Sequence, residues 1–131
     1  MENCLFCKII NGEIPSRTIY EDEMVKVFMD INPSTNGHLL VVPKKHIVNI
    51  LDMDKETYIY MFNLIKEKLY PLLKEKLNCE GLTIAQNNEL GQEVKHFHIH
   101  LIPRYQNDCG DFKYDKSLLI DLDEVENKLA N

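Results

Sequence analysis

Residues 96–101 alternate histidine with apolar side chains, in the order His, Phe, His, Ile, His, Leu. Successive side chains of a β-strand point to opposite faces of its sheet. A period of two therefore predicts a strand with three imidazoles on one face and the apolar residues in the core. In a helix, His96 and His100 would share a face and His98 would turn away. The β-prone apolar residues favour the strand, which we expect to begin near Val94.

Three imidazoles on one face crowd groups that titrate near neutrality, which is costly unless they act on something. Three histidines can ligate zinc, act as acids and bases, or attack phosphorus as nucleophiles. Spacing alone does not choose among these functions. The ordinary alternative is a polar outer face that happens to be rich in histidine.

The rest of the chain predicts a sheet with one principal helix. Short β-prone runs at 17–20, 24–29 and 39–42 are separated by turn sequences, which indicates an antiparallel meander, and 82–86 reads as a fourth strand. Five strands with grouped helices predict an α+β class with one mainly antiparallel sheet, one long central helix and short terminal helices. We expect residues 1–131 to form one domain, since 131 residues are about one domain's worth.

Apolar residues recur at helical spacing from Asp54, an N-cap residue, to 78–81. Pro71 lies inside this stripe and removes one backbone donor, so we expect a kink there. A second helical pattern covers about 116–130, where Asp121 and Glu124 have the spacing of a capping box.

Charge and cysteine content restrict the partners and the compartment. The net charge is −6, and residues 105–131 contain seven acidic and three basic residues. This balance disfavours a nucleic-acid polymer as partner. No apolar run is long enough to span a membrane. Glu2 stands where a signal peptide would be basic, which predicts a cytoplasmic protein. Cys4 and Cys7 then read as reduced thiols kept for metal or redox work, rather than as a disulfide.

Three further segments complete a family pattern. Gly91 to Val94 precedes the histidine run, 28–33 lies upstream, and 37–47 joins a buried-looking strand to two more histidines. With these segments the chain closely resembles the histidine triad (HIT) family of nucleotide hydrolases and transferases, close to its purine nucleoside phosphoramidase branch. The resemblance covers about 4–104 and implies a HIT-like fold, with 116–130 as a C-terminal helical extension.

The resemblance implies that His98 attacks the α-phosphorus of a purine nucleoside 5′-phosphate derivative, forming a covalent intermediate that water resolves. His100 and His38 would stabilise the phosphate, with no catalytic metal or organic cofactor. The implied substrate is a phosphoramidate or an acyl or aminoacyl adenylate. Dinucleoside polyphosphate hydrolysis is the alternative enzyme activity. A module that senses adenosine monophosphate or another nucleoside monophosphate with little turnover is a different class.

The nucleotide-binding set is also carried over from the resemblance. Asp30 matches a family carboxylate that accepts both ribose hydroxyls, and Ile31 beside it should line the base. Asn87 fits a phosphate-side asparagine, and Gln92 is included with it. Glu93 stands where several relatives have Ser or Thr, so it would disfavour a second phosphate and favour an amine leaving group. Local capping by Asp30 and simple exposure of Glu93 are the ordinary alternatives.

A structural zinc site is expected at Cys4, Cys7, His46 and His96. Cys-x-x-Cys alone is weak evidence, because such residues are also small buried groups or redox pairs. Two thiolates and two imidazoles suit tetrahedral zinc. The layout resembles that of galactose-1-phosphate uridylyltransferases, distant members of the same superfamily. On this interpretation His96 binds metal, and His98 and His100 are left for chemistry.

We also expect a homodimer, chiefly because relatives pair their sheets through the principal helix and an edge strand. Met61, Phe62, Ile65 and Leu73 widen the apolar stripe of that helix, which adds modest support. A wide stripe is also what an ordinary core helix shows.

Overall fold

The computed structural model describes residues 3–130 and has one five-stranded sheet with helices on both of its faces. The strands are β1 (Thr18–Glu21), β2 (Val25–Met29), β3 (Leu39–Pro43), β4 (Gly81–Ala85) and β5 (Ile99–Arg104). Their order is β1-β2-β3-β5-β4, and every neighbouring pair is antiparallel. The α+β class and the five-stranded antiparallel sheet are therefore confirmed.

Strand β3 lies at the centre of the sheet and is buried along its whole length. Leu39 and Val41 join the core beneath the long helix, whereas Leu40 and Val42 join a second cluster with Phe6. Helix α1 (Leu5–Ile10) supplies that second cluster with its buried side chains. Because apolar elements cover both faces, β3 has no polar position.

The long helix runs through Lys55–Leu64 (α2), a π-helical segment Ile65–Leu69, and Tyr70–Leu77 (α3). Asp54 caps its first turn by accepting hydrogen bonds from the backbone N–H and the hydroxyl of Thr57. The disturbance that Pro71 predicts takes the form of the π-helical turn directly before it, where the Tyr70 N–H reaches Ile65 O. A helix interrupted by a residue without an N–H accommodates the missing bond in this way.

The fifth strand begins at Ile99 and not near Val94, so that sequence prediction is wrong by five residues. Residues 92–98 run beside the loop after β3, where one side-chain and one backbone hydrogen bond to that loop take the place of a strand ladder. Gln92 Nε2 donates to Val48 O at 2.9 Å, and the Phe97 N–H donates to Ile47 O at 2.6 Å. The alternation is nevertheless correct, because Phe97, Ile99 and Leu101 are buried in the core beneath the helix.

The C-terminal extension contains a 3₁₀ turn (Lys116–Leu118) and helix α4 (Leu122–Leu129), as expected for 116–130. The capping box does not form, because Asp121 at the N-cap makes no side-chain capping bond. Leu118, Leu119, Leu122 and Leu129 are all exposed. Within residues 3–130, no helix is both long and apolar enough to cross a membrane.

Candidate active site and metal site

A cavity of about 420 Å³ lies between α1 and the face of the sheet that carries the histidines. Its wall is apolar where Phe6, Ile9, Phe28 and Leu40 line it. The polar groups on its lining are Ser16, Asp30, Asn32, Asn87, Glu93, His98 and His100. A mostly apolar cavity with a few convergent polar groups is the usual form of a small-molecule site.

His98 is buried, and its ring is held in one orientation. Nδ1 donates to the carbonyl oxygen of His96 at 2.7 Å, and Phe6 packs edge-on against the ring with centroids 4.9 Å apart. Burial lowers the pKa of His98, so the ring is neutral at pH 7. Its proton is on Nδ1, which leaves Nε2 unprotonated, without a hydrogen-bond partner among residues 3–130, on a ring that lines the cavity. This is the protonation state that a nucleophilic imidazole needs.

His100 lies beside His98, with ring centroids 4.9 Å apart. Burial and the neighbouring rings of His98 and His38 lower the pKa of His100 to about 4. Burial also lowers the pKa of His38, although Asp30 opposes that shift. All three imidazoles are therefore neutral at pH 7, and they can donate or accept hydrogen bonds without carrying charge.

His38 connects His100 to Asp30. Its Nε2 lies 3.0 Å from His100 Nδ1 and 3.5 Å from Asp30 Oδ2, while its Nδ1 accepts the Ser34 N–H at 3.0 Å. Asp30 also acts locally, because its Oδ1 accepts the Asn32 N–H at 2.8 Å. The local cap therefore exists, but it uses one carboxylate oxygen and leaves the other at the histidine cluster.

The structure places most of the predicted nucleotide-binding residues at the cavity. Asp30, Ile31, Asn87 and Glu93 all line it, and Ile31 is 89% exposed. Gln92 does not reach the cavity. Its side chain is buried. The amide oxygen accepts the Glu89 N–H and the amide nitrogen donates to Val48 O, so Gln92 holds the 87–92 loop in place.

Cys4, Cys7, His46 and His96 come together in a second cluster beside the cavity, and their four ligand atoms lie within 4.8 Å of one another. His46 Nδ1 lies 3.2 Å from both Cys7 Sγ and His96 Nδ1, and His96 Nδ1 lies 3.3 Å from Cys4 Sγ. Zinc–ligand bonds of about 2.0–2.3 Å in a tetrahedron give edges of about 3.3–3.8 Å. These residues therefore fit a tetrahedral zinc ion.

The orientation of His96 supports the same assignment. Its Nε2–H donates to Pro43 O at 2.8 Å, which leaves Nδ1 unprotonated and facing the two sulfurs. Burial and the nearby Cys4 sulfur raise the pKa of the Cys7 thiol to about 11. A cation at the centre of the cluster would remove this penalty, because coordination deprotonates a thiol.

Two further groups contribute to this site and are not evident from the sequence. Phe6 contacts the rings of both His98 and His96, at centroid distances of 4.9 and 6.0 Å. Its position between the two cysteines is the only sequence signal for this role. The backbone N–H of Ser34, which binds His38, has no side-chain signature at all. Arg104 does not line the cavity, and its guanidinium pairs with Asp108 at 2.7 Å.

Comparison with known proteins identifies the class to which this fold and site belong. Residues 11–107 match the HIT domain family. An uncharacterized HIT-like protein of Methanocaldococcus jannaschii is 48% identical over 126 residues, covering 93% of this chain and 95% of that protein. The adenosine 5′-monophosphoramidase of Schizosaccharomyces pombe is 32% identical, covering 82% of this chain and 79% of that enzyme.

A solved structure gives the same result. The zinc-bound histidine triad family protein of Mycobacterium smegmatis has a TM-score of 0.79 at 37% identity, covering 87% of this chain and 84% of that one. The chain therefore belongs to the HIT domain family.

Proposed function

We propose that this protein is a hydrolase that cleaves a bond at the α-phosphate of a purine nucleoside 5′-phosphate derivative, through a nucleotidyl intermediate on His98. The observation that carries the proposal is the state of that ring. Its Nδ1–H is fixed on the His96 carbonyl, and its Nε2 is open to a cavity that His100 also lines. A relative named as an adenosine 5′-monophosphoramidase supports the same chemistry.

The reaction has two steps. In the first, the Nε2 lone pair of His98 forms a bond to the α-phosphorus as the bond to the leaving group breaks. The leaving group departs with the bonding electron pair and takes up a proton from solvent. In the second, water attacks the phosphorus and gives up a proton to solvent, the electron pair of the N–P bond returns to His98, and a nucleoside monophosphate is released. His100 donates a hydrogen bond to the phosphate in both steps.

The charge of the cavity favours an amine or acyl leaving group over a second phosphate. Among the described residues, the lining includes the carboxylates of Asp30 and Glu93 and contains no Lys or Arg. Enzymes that handle polyphosphates surround them with cations, which this cavity does not offer. We therefore rank a phosphoramidate or an acyl or aminoacyl adenylate above a dinucleoside polyphosphate. In this assignment Asp30 accepts the ribose hydroxyls, Ile31 covers the base and Asn87 contacts the phosphate.

We propose a structural zinc at Cys4, Cys7, His46 and His96. The donor distances fit the ion, and a zinc-bound family structure at 37% identity supports it. When bound, zinc cross-links α1 to the segment before β5. The chain's own residues then hold Phe6 against His98 and keep His96 out of the reaction. No catalytic metal or organic cofactor is part of this proposal.

We also propose that the protein is a homodimer. Met61, Ile65 and Leu73 are buried in this chain's own core. They therefore cannot form part of a dimer interface, although the apolar stripe in the sequence included them. Tyr58, Ile59 and Phe62 can, because they are 39–46% exposed on α2, and Ile84 on the edge strand β4 is 45% exposed. Exposed apolar groups on a helix and a sheet edge are typical of an isologous interface.

Substrate comparison tests the proposed activity. We expect the purified protein to hydrolyse an adenosine 5′-phosphoramidate of a fluorescent amine with a kcat/KM at least about 10-fold above that for diadenosine polyphosphates. The matched control is His98→Asn, which keeps a polar side chain of similar reach and removes the nucleophile. Faster hydrolysis of the polyphosphate would favour the alternative enzyme activity. Binding of adenosine monophosphate with no turnover of either substrate would favour a sensing module.

A further inference from the structure

Two polar side chains approach one buried atom, the Nε2 of His38. His100 Nδ1 lies 3.0 Å away and Asp30 Oδ2 lies 3.5 Å away. His38 is 4% exposed, so its ring exchanges few contacts with water. The geometry therefore joins the carboxylate proposed for the ribose to the imidazole proposed for the phosphate.

The position of each proton in this chain follows from one backbone contact. The Ser34 N–H can only donate, so His38 Nδ1, at 3.0 Å, must be the acceptor. Since burial keeps His38 neutral, its proton is on Nε2. That N–H then donates to His100 Nδ1, which must be unprotonated. The proton of neutral His100 is therefore on its Nε2, where it can serve as a donor in the cavity.

The same N–H has a second acceptor within reach. Asp30 Oδ1 is already bound to the Asn32 N–H, but Oδ2 has no other hydrogen-bond partner among residues 3–130. A ribose hydroxyl that donates to Oδ2 would compete with His38 for this oxygen. Occupation of Oδ2 would therefore leave the His38 N–H with His100 as its acceptor.

We propose that His38 is a positioning residue that couples ribose binding at Asp30 to the orientation of His100, by directing its one N–H to whichever acceptor is free. This inference rests on the proposed function. With the ribose hydroxyls bound, His38 fixes His100 with its Nε2–H toward the phosphate. Without them, the N–H is shared with Asp30 and His100 is held less firmly. The ribose hydroxyls then contribute to catalysis as well as to binding.

Kinetics on two substrates separate this coupling from simple binding. The substrates are an adenosine 5′-phosphoramidate and its 2′,3′-dideoxy analogue, each assayed with wild type, His38→Gln and His38→Leu. Loss of the hydroxyls raises KM in all three proteins, because Asp30 loses its ligand in each. In wild type it also lowers kcat by about 10-fold. His38→Leu has no hydrogen-bond donor at this position. Its kcat should therefore be lower than that of wild type and equal for the two substrates.

His38→Gln is the matched control, because its amide N–H reaches the same position and should retain part of the dependence of kcat on the hydroxyls. An equal ratio of kcat values for the two substrates in wild type and His38→Leu would overturn the proposal. Circular dichroism of both variants identifies any that fails to fold, and the Gln variant keeps the test valid if Leu is not tolerated.

Imidazole nitrogen shifts test the same idea without turnover. The chain has five histidines, so nitrogen-15 spectra of the zinc-loaded protein are simple to assign. We expect His38 protonated on Nε2, and a shift at His100 Nδ1 on adding adenosine that 2′,3′-dideoxyadenosine does not cause. A His38 protonated on Nδ1, or equal shifts with both nucleosides, would contradict the coupling. If no substrate is turned over but these shifts appear, the proposed function fails and the coupling stands.

Discussion

Gly37 lies directly before His38, and a methyl group there would disturb both the backbone and the packing. Its φ is +91°, and a Cβ atom would lie 2.5 Å from Leu77 Cδ1, 3.2 Å from Leu73 Cδ2 and 3.3 Å from Pro103 Cγ. Leu77 is 41% exposed and can rotate away. Leu73 and Pro103 are buried and cannot move as easily. Gly37→Ala therefore combines a conformational cost with overpacking.

The two costs can be estimated and then separated. A left-handed backbone costs a residue with a Cβ about 1–2 kcal/mol, and an extra carbon in a packed region costs about 1–3 kcal/mol. We expect Gly37→Ala to lower the free energy of unfolding by about 2–5 kcal/mol. Gly12→Ala is the matched control, because Gly12 has a φ of +80° and no atom within 4 Å of the added Cβ. It should lose only the conformational part, about 1–2 kcal/mol.

Urea unfolding of zinc-loaded protein measures both values, provided that the slopes agree with that of wild type. A double variant, Gly37→Ala with Leu77→Ala, removes the shortest contact but should recover less than about 0.5 kcal/mol, because Leu77 can already rotate away in the single variant. Equal losses in Gly37→Ala and Gly12→Ala, within about 0.5 kcal/mol, would refute the packing argument. The turnover of folded Gly37→Ala should also fall, since the displaced segment carries His38.

Four further outcomes follow from the site. His98→Ala should lower kcat by at least about 10³-fold in a protein that is still folded at the assay temperature, and near-wild-type turnover would rule out the nucleophile. Chelation of zinc, or Cys4→Ser, should lower the melting temperature more than it lowers initial turnover, and metal analysis that finds no zinc would contradict this. The pKa of His100 is about 4 in the folded protein, against 6.5 for a free imidazole. Between pH 4 and 6.5 the unfolded chain therefore binds more protons than the folded protein. Stability should therefore fall as the pH drops from 6.5 to 4, and less so in His100→Gln, as thermal melts across pH would show. Light scattering should give twice the chain mass of 15.4 kDa, and Phe62→Glu should give a monomer; a wild-type particle of 15.4 kDa would refute the dimer.

Much of the fold was predictable because it depends on local periodicity. The alternation at 96–101 correctly placed Phe97 and Leu101 in the core, and the side chain of Asp54 identified the start of the long helix. The start of β5 was not predictable in the same way. Residues 92–98 are extended in pattern, but their partners are isolated backbone carbonyls of the loop after β3, and no periodic signal marks such contacts.

The candidate site was predictable in its residue types and not in its connections. Cys4, Cys7, His46 and His96 were named from motif spacing and resemblance, and the structure brings them together. Gln92 stands beside the site in sequence, yet its buried amide binds backbone groups and supports a loop. The tautomers of His38, His96 and His98 depend on a backbone N–H or carbonyl, and that of His100 depends on His38.

Intact-protein mass spectrometry after a brief reaction with an adenosine 5′-phosphoramidate tests the central claim most directly. We expect a transient mass increase equal to one adenylyl group in wild type, located on His98 by peptide mapping and lost as hydrolysis completes. His98→Ala should show no such species under the same conditions. Turnover by wild type with no adduct at the earliest times, or an adduct on another residue, would contradict nucleophilic attack by His98.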